Sequence, residues 1–222
     1  MKPRELFFVF VCVSVISMIL IDHAGIFSYW GRSALKIMMF GIIPAMIISK
    51  THTWTTIFSK GRYLKHVLLL GALIFLVVLP GYWLLDGIIA FDQVPDALAQ
   101  NVGVTLDNFL WVFIYIVLIN GPLEEFFFRY FMLNRPYDIH PMIMAWISSF
   151  LFAIYHVGML FSMFHFSVFL LAIAGLMIVG LFFIWINQKS KGILYSVLLH
   201  MFANGAINLV GWIILLQHQG SL

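Results

Sequence analysis

Seven stretches of the chain, 6–21, 35–49, 66–85, 108–133, 141–160, 164–186 and 192–216, are apolar almost throughout. Most approach the ~20 residues that a helix needs to cross the hydrocarbon of a bilayer. The chain is 63% hydrophobic and 9% charged, whereas a soluble domain carries about 25% charged residues. A water-soluble core cannot absorb this much apolar surface. The sequence therefore predicts an all-α membrane protein, a bundle of about seven transmembrane helices that forms a single integral membrane domain over 1–222, with the lipid bilayer as its partner. The first stretch is slightly short. The second begins beside Lys36, whose ammonium is expected to snorkel to the interface.

The basic residues order these helices. With the N-terminus in the cytoplasm, the inner segments hold Lys2, Arg4, Lys50, Lys60, Arg62, Lys65, Arg135, Lys189 and Lys191, and the outer ones hold Arg32 with Lys36 nearby. The loop 86–107 has four Asp and no Lys or Arg, and falls outside. This bias predicts an N-terminus in the cytoplasm and a C-terminus outside. Within the loop, Pro95 and the scattered polar residues suggest a surface segment with an interfacial helical turn. The first apolar run ends without a small-residue cleavage site and reads as an uncleaved anchor. The single Cys12 forbids an internal disulfide. The basic residues form no tract, so no nucleic-acid partner is expected. No internal repeat, low-complexity segment or soluble domain is visible.

Against this apolar background, Glu124 and Glu125 stand out as the acidic residues inside a span; the other carboxylates read as terminal or loop residues. An ionised carboxylate in hydrocarbon is expensive and is seldom kept without a use. Glu125 and Arg129 are four apart on a helix and share a face, so they can form an ion pair. Glu124 points about 100° away and has no partner nearby in sequence. Gly121-Pro122 just before them can bend or loosen the helix. His200 and Asn204 are also spaced by four, and Asn208 continues their stripe. His156 ends the stretch Phe152-Ala-Ile-Tyr-His156. Taken singly, a packed histidine, an interhelical hydrogen bond or a structural ion pair accounts for each of these.

Depth joins them. At 1.5 Å of rise per residue, Glu124 lies ~14 Å, His156 ~22 Å, His200 ~12 Å and Asn204 ~18 Å from the cytoplasmic ends of their helices. With allowance for helix tilt and for the helix ends, all fall in the middle third of a ~30 Å core. A water-accessible cavity at that level, with a carboxylate, two imidazoles and an amide, can activate water and hold a developing oxyanion without a serine or cysteine nucleophile.

Glu124-Glu125-x-x-x-Arg129, then Phe152-x-x-x-His156, then His200-x-x-x-Asn204, resemble the three ordered motifs of the CAAX protease and bacteriocin-processing family, also called CPBP or Abi, which includes the type II CAAX prenyl endopeptidases. The motifs occupy the C-terminal half, a catalytic portion over roughly 108–216; the N-terminal half matches only as generic membrane helices. The resemblance implies an intramembrane glutamate endopeptidase. In it, Glu124 and His156 would activate water, Glu125 and Arg129 would orient and support that centre, and His200 and Asn204 would stabilise the oxyanion. No cofactor is implied. Two histidines and a glutamate could bind zinc in principle, but there is no His-Glu-x-x-His and an arginine sits beside the carboxylates, so no metal is expected.

The substrate implied by the resemblance is a membrane-embedded or lipid-anchored peptide or protein. Relatives cut prenylated proteins or act in peptide maturation and bacteriocin self-immunity. The compact chain, without an organelle signal, is expected in a bacterial plasma membrane. Two other readings of the same residues stay open. One is a non-catalytic peptide-binding or bacteriocin-immunity membrane protein. The other is a proton-coupled transporter, since intramembrane Glu and His also build proton relays.

Overall fold

Seven helices are long and apolar enough to cross a bilayer: α1 (Arg4–Ala24), α2 (Tyr29–Lys50), α3 (Leu64–Leu85), α4 (Leu106–Phe131), α5 (Pro141–Leu160), α6 (Phe166–Ser190) and α7 (Leu194–Gln219). They come from a computed structural model that describes residues 3–51, 57–58, 63–89, 91–134 and 139–220, among which no strand occurs. The expected all-helical membrane bundle is borne out. Lys2, Lys60, Arg62 and Arg135, on which part of the topology expectation rests, lie outside the described residues.

Seven crossings put the two ends of the chain on opposite faces. On the face where α1 begins, the backbone N–H of Tyr63 donates to the Tyr195 hydroxyl at 3.2 Å, joining the starts of α3 and α7. Arg4, Lys50, Lys65, Lys189 and Lys191 lie at or beside helix ends here, which we call the basic face. At the other face, Arg32 near the start of α2 lies 3.8 Å from Asp22 near the end of α1. Arg32 also donates to the carbonyls of Asn101 and Val102. Those carbonyls end a short helical segment, Val94–Ala97 followed by the wide turn Leu98–Val102, inside the loop expected to hold such a turn. A cation at a helix C-terminus satisfies the last carbonyls and the negative end of the dipole. Asp22 was expected outside the spans; it lies in the last turn of α1, half-buried.

α4 touches α2, α5, α6 and α7. Its last residues, 127–131, are all buried, as a stretch covered by neighbours on every side must be. Nearer the other face Leu110, Trp111 and Leu118 of the same helix are exposed. Phe127 stacks on Phe40 of α2 at 4.2 Å between ring centroids, and Phe128 meets Phe152 of α5 edge-on at 5.5 Å. Val11, Val15 and Met18 of α1 close this core from the side. The periphery is the reverse: Leu69, Leu76, Leu171 and Ile178 stand exposed, as the outer side chains of a lipid-embedded bundle must. α7 runs beside α3, where a Cβ on Gly71 would come within 2.3 Å of the Phe202 ring, so only glycine lets the two helices approach this closely.

α2 departs from its expected bounds. It starts at Tyr29 because the Ser28 side chain accepts from the Gly31 N–H at 3.2 Å, an N-cap. Two more helical turns therefore precede Lys36. At 1.5 Å per residue, Lys36 lies ~10 Å inside the helix instead of at its start. It does not snorkel: Lys36 is 4% exposed.

Candidate active site

Local chain geometry delivers the site on α4. Pro122 has no N–H for an ordinary helical hydrogen bond, and the turn before it, Ile116–Asn120, is wider than an α-helical turn, with the Gly121 N–H bonded to the Ile116 carbonyl. A second wide turn, Phe126–Phe131, follows the glutamates. Such widened turns recur where a helix must aim side chains at a site. Gly121 is the point of closest approach to α7: a Cβ there would sit 3.0 Å from the Asn204 amide nitrogen and 3.7 Å from the His200 ring. The Gly-Pro pair thus lets α7 come up against α4, as well as loosening the helix.

The two glutamates are buried back to back, at 1% and 0% exposure. Their helical phase separates them as expected. Glu125 lies 3.2 Å from Nη1 of Arg129, the predicted ion pair, and accepts from His200 Nδ1 at 3.0 Å. Arg129 packs its guanidinium on the Phe152 ring, 4.0 Å from the centroid. Glu124, read from the sequence as having no partner nearby, has two. The Lys36 ammonium donates to its Oε1, and to Asn120 Oδ1 as well. Asn120, one turn earlier on α4, donates to the same Oε1 at 2.9 Å.

The other carboxylate oxygen of Glu124 faces the imidazoles. Oε2 lies 3.8 Å from His156 Nε2 and 3.6 Å from His200 Nε2, and has no hydrogen-bond partner among the described residues. His156 sits where the helix Pro141–Tyr155 breaks before the turn Val157–Leu160. Its Nδ1 is 2.7 Å from the Phe152 carbonyl. A carbonyl only accepts, so Nδ1 carries the proton and Nε2 presents a lone pair towards Glu124. On the same grounds, Nδ1 of His200 donates to Glu125, and its Nε2 is an acceptor unless the ring is an imidazolium. Phe152, the first residue of the second motif, touches every part: it carries Arg129 on its face and meets the His156 ring at 4.8 Å and the His200 ring at 5.8 Å.

The structure therefore brings Glu124, Glu125, Arg129, His156 and His200 into one cluster. Asn204 lies at its edge, with its amide donating to the Ile116 carbonyl at 3.2 Å, so that carbonyl receives both Gly121 and Asn204. Asn208 donates to the Asn204 carbonyl at 2.8 Å and stays within α7. Lys36 and Asn120 are the members that the sequence reading missed. Asn120 was visible at four residues before Glu124. Lys36 was visible as a lysine bordering an apolar run, and was misread because the helix was started six residues late.

Charge balances inside the cluster, with Lys36 and Arg129 against Glu124 and Glu125. Among the described residues no group of three or more His, Cys, Asp or Glu side chains is arranged to hold a metal ion. A divalent cation would share Glu124 with an ammonium and leave the buried cluster with excess positive charge, so these residues do not fit a resident metal. A cavity of about 530 Å³ opens one turn towards the basic face and shares only Arg129 with the cluster; Asn134, Met144, Asn187 and Lys191 are among its other walls.

No curated protein and no solved structure matches the chain. Residues 106–206 match the model of the family described as Type II CAAX prenyl endopeptidase Rce1-like. That segment holds every residue of the three motifs, from Glu124 to Asn204, and excludes Lys36. Over residues 106–206, a little under half of its length, the chain is similar to the Rce1-like type II CAAX prenyl endopeptidases.

Proposed function

We propose that the protein is an intramembrane endopeptidase of the glutamate type, which cleaves a peptide bond of a membrane-embedded or lipid-anchored substrate with water activated by Glu124 and His156. The observation that carries this reading is the geometry of Glu124 Oε2. It is a buried carboxylate oxygen with no protein partner, and two imidazole nitrogens face it at 3.6 and 3.8 Å. In this scheme, water lies between Oε2 and His156 Nε2. It gives one proton to Nε2, and its oxygen attacks the scissile carbonyl carbon. Glu124 orients the water and stabilises the imidazolium as it forms. When the tetrahedral intermediate collapses, the C–N bond breaks and His156 returns the proton to the leaving amine. His200 donates to the oxyanion from Nε2 in its imidazolium form, which Glu124 and Glu125 flank. Asn204 adds its second amide hydrogen from the edge. Arg129 holds Glu125 in place for His200.

Two cavities fit such a substrate. The one at the basic face is lined partly by polar groups and offers water a path to Arg129. An apolar groove of about 380 Å³ between α2 and α4, walled by Ile37, Leu118, Pro122, Leu123 and Phe126, suits a hydrocarbon chain beside the glutamates. A prenylated carboxyl-terminal segment is the substrate class that joins both features with the family match.

The test is incubation of the purified protein, and of a Glu124→Ala form, with a peptide library that includes prenylated members. Cleavage by the wild type and none by Glu124→Ala is expected. Turnover should survive serine- and cysteine-directed reagents and thorough chelation, and Cys12→Ser should match the wild type. Saturable peptide binding without cleavage would favour the binding or immunity reading. Stoichiometric zinc whose removal and return abolish and restore activity would overturn the metal-free scheme.

A further inference from the structure

One buried charge has no part in the scheme above. Lys36 lies on α2, outside the segment that carries the three motifs. It is 4% exposed, and its ammonium sits 4.5 Å from the centroid of the Tyr155 ring and 5.8 Å from that of Phe40. Two independent facts say that this is more than a strut between helices. First, the ammonium and the Asn120 amide converge on the same oxygen of Glu124, Oε1. Second, the other oxygen has no hydrogen-bond partner and is the one that faces His156 and His200. A free carboxylate has two equivalent oxygens and rotates between them. Here Oε1 is held from one side by α2 and from below by α4, so Oε2 alone is presented to α5 and α7.

We propose that Lys36 is a positioning residue for Glu124. It fixes the rotation of the carboxylate and supplies the counter-charge that keeps Oε2 a hydrogen-bond acceptor. The proposal rests on the reading of Glu124 as the water-binding carboxylate. It extends the catalytic unit beyond the motif-bearing half to α2. The charged and titratable groups around Glu124 are Lys36 from α2, His156 and Tyr155 from α5, His200 from α7, and Tyr115, Glu125 and Arg129 from α4 itself, with Asp22 of α1 farther off beside Arg32. Arg129 is bound to Glu125, so removal of Lys36 leaves two buried carboxylates with one fixed cation. A buried carboxylate that loses its counter-charge takes up a proton. Its Oε2 then competes as a donor instead of accepting a hydrogen bond from water.

The experiment compares Lys36→Met, Lys36→Arg, Glu124→Gln and the double variant Lys36→Met with Glu124→Gln, all as full-length protein. Infrared difference spectra against the wild type read the protonation state without any need for turnover. A protonated-carboxyl C=O band should appear in Lys36→Met and vanish in the double variant. In turnover, Lys36→Met should lose on the order of 10–100-fold in kcat, the range for losing a group that orients a catalytic ligand, with KM little changed. Lys36→Arg keeps the charge, so it should show no carboxyl band and regain part of kcat. A wild-type kcat in Lys36→Met overturns the positioning role; should Lys36→Met not fold, a Lys36→Arg protein that shows the protonated-carboxyl band overturns it instead. So does a Lys36→Met spectrum without the carboxyl band. A fully active Glu124→Gln overturns instead the catalytic reading beneath it. An inactive Glu124→Gln beside a fully active Lys36→Met sinks the positioning role alone.

Discussion

Glu124→Gln removes the carboxylate that orients the attacking water and, in the same step, strands an ammonium. The local sequence gave Glu124 no partner, so its substitution would have been expected to spare the fold. Lys36, 88 residues away, changes that expectation. Glu124→Gln should abolish turnover and also lower stability, by about 3–5 kcal/mol if the lysine is left fully unpaired. Detergent unfolding measurements check this, and a Glu124→Gln protein as stable as the wild type would contradict the buried pair. His156→Ala differs in kind. His156 is only half-buried and outside both ion pairs. It should lose about 10²–10⁴ in kcat, as for a general base, and unfold close to the wild-type temperature. The legibility of the site follows the same division. Glu125 with Arg129 and His200 with Asn204 could be read because their spacing is a property of one helix. The Lys36–Glu124 pair joins two helices, and no spacing rule reaches across that distance. An N-cap at Ser28, seven residues outside the predicted start of the helix, was enough to hide it.

Helices as elements were legible from their apolar length. The widened turns within them were legible only in part. Ile116–Asn120 opens where Pro122 lacks an N–H, a local cause that Gly121-Pro122 announced, and where Asn204 from another helix bonds the Ile116 carbonyl. The second cause is tertiary and leaves no periodic trace in α4. The same contact makes Gly121 a sensitive position. Gly121→Ala should push α7 outward, since its Cβ would stand 3.0 Å from the Asn204 amide. The expected result is a fall in kcat larger than the loss of stability would explain, because His200 moves with α7. Gly175→Ala on α6 is the control: nothing lies within 4 Å of its Cβ, and it should be neutral or slightly stabilising, as Ala is favoured over Gly in a helix. Equal effects from the two substitutions would count against α4–α7 contact as the determinant.

For the whole molecule, the face that bears Arg4, Lys50, Lys65, Lys189 and Lys191 is expected in the cytoplasm on the positive-inside rule. Reporter fusions after Lys50 and after Gln219 should report opposite sides, with Lys50 inside. Both on one side would contradict seven crossings. The pairing of Lys36 with Glu124 also bears on how the chain is made. During synthesis α2 enters the bilayer well before α4 exists, and a lysine inside a span costs up to about 2.5–3.5 kcal/mol, the value at a helix centre on insertion scales. The newborn N-terminal half therefore carries an unanswered charge in lipid until α4 arrives, a state that membrane quality control can recognise as unfinished. In pulse–chase experiments, a chain that stops after α3 should be degraded quickly, and Lys36→Leu should lengthen the lifetime of that fragment while disabling the finished protein.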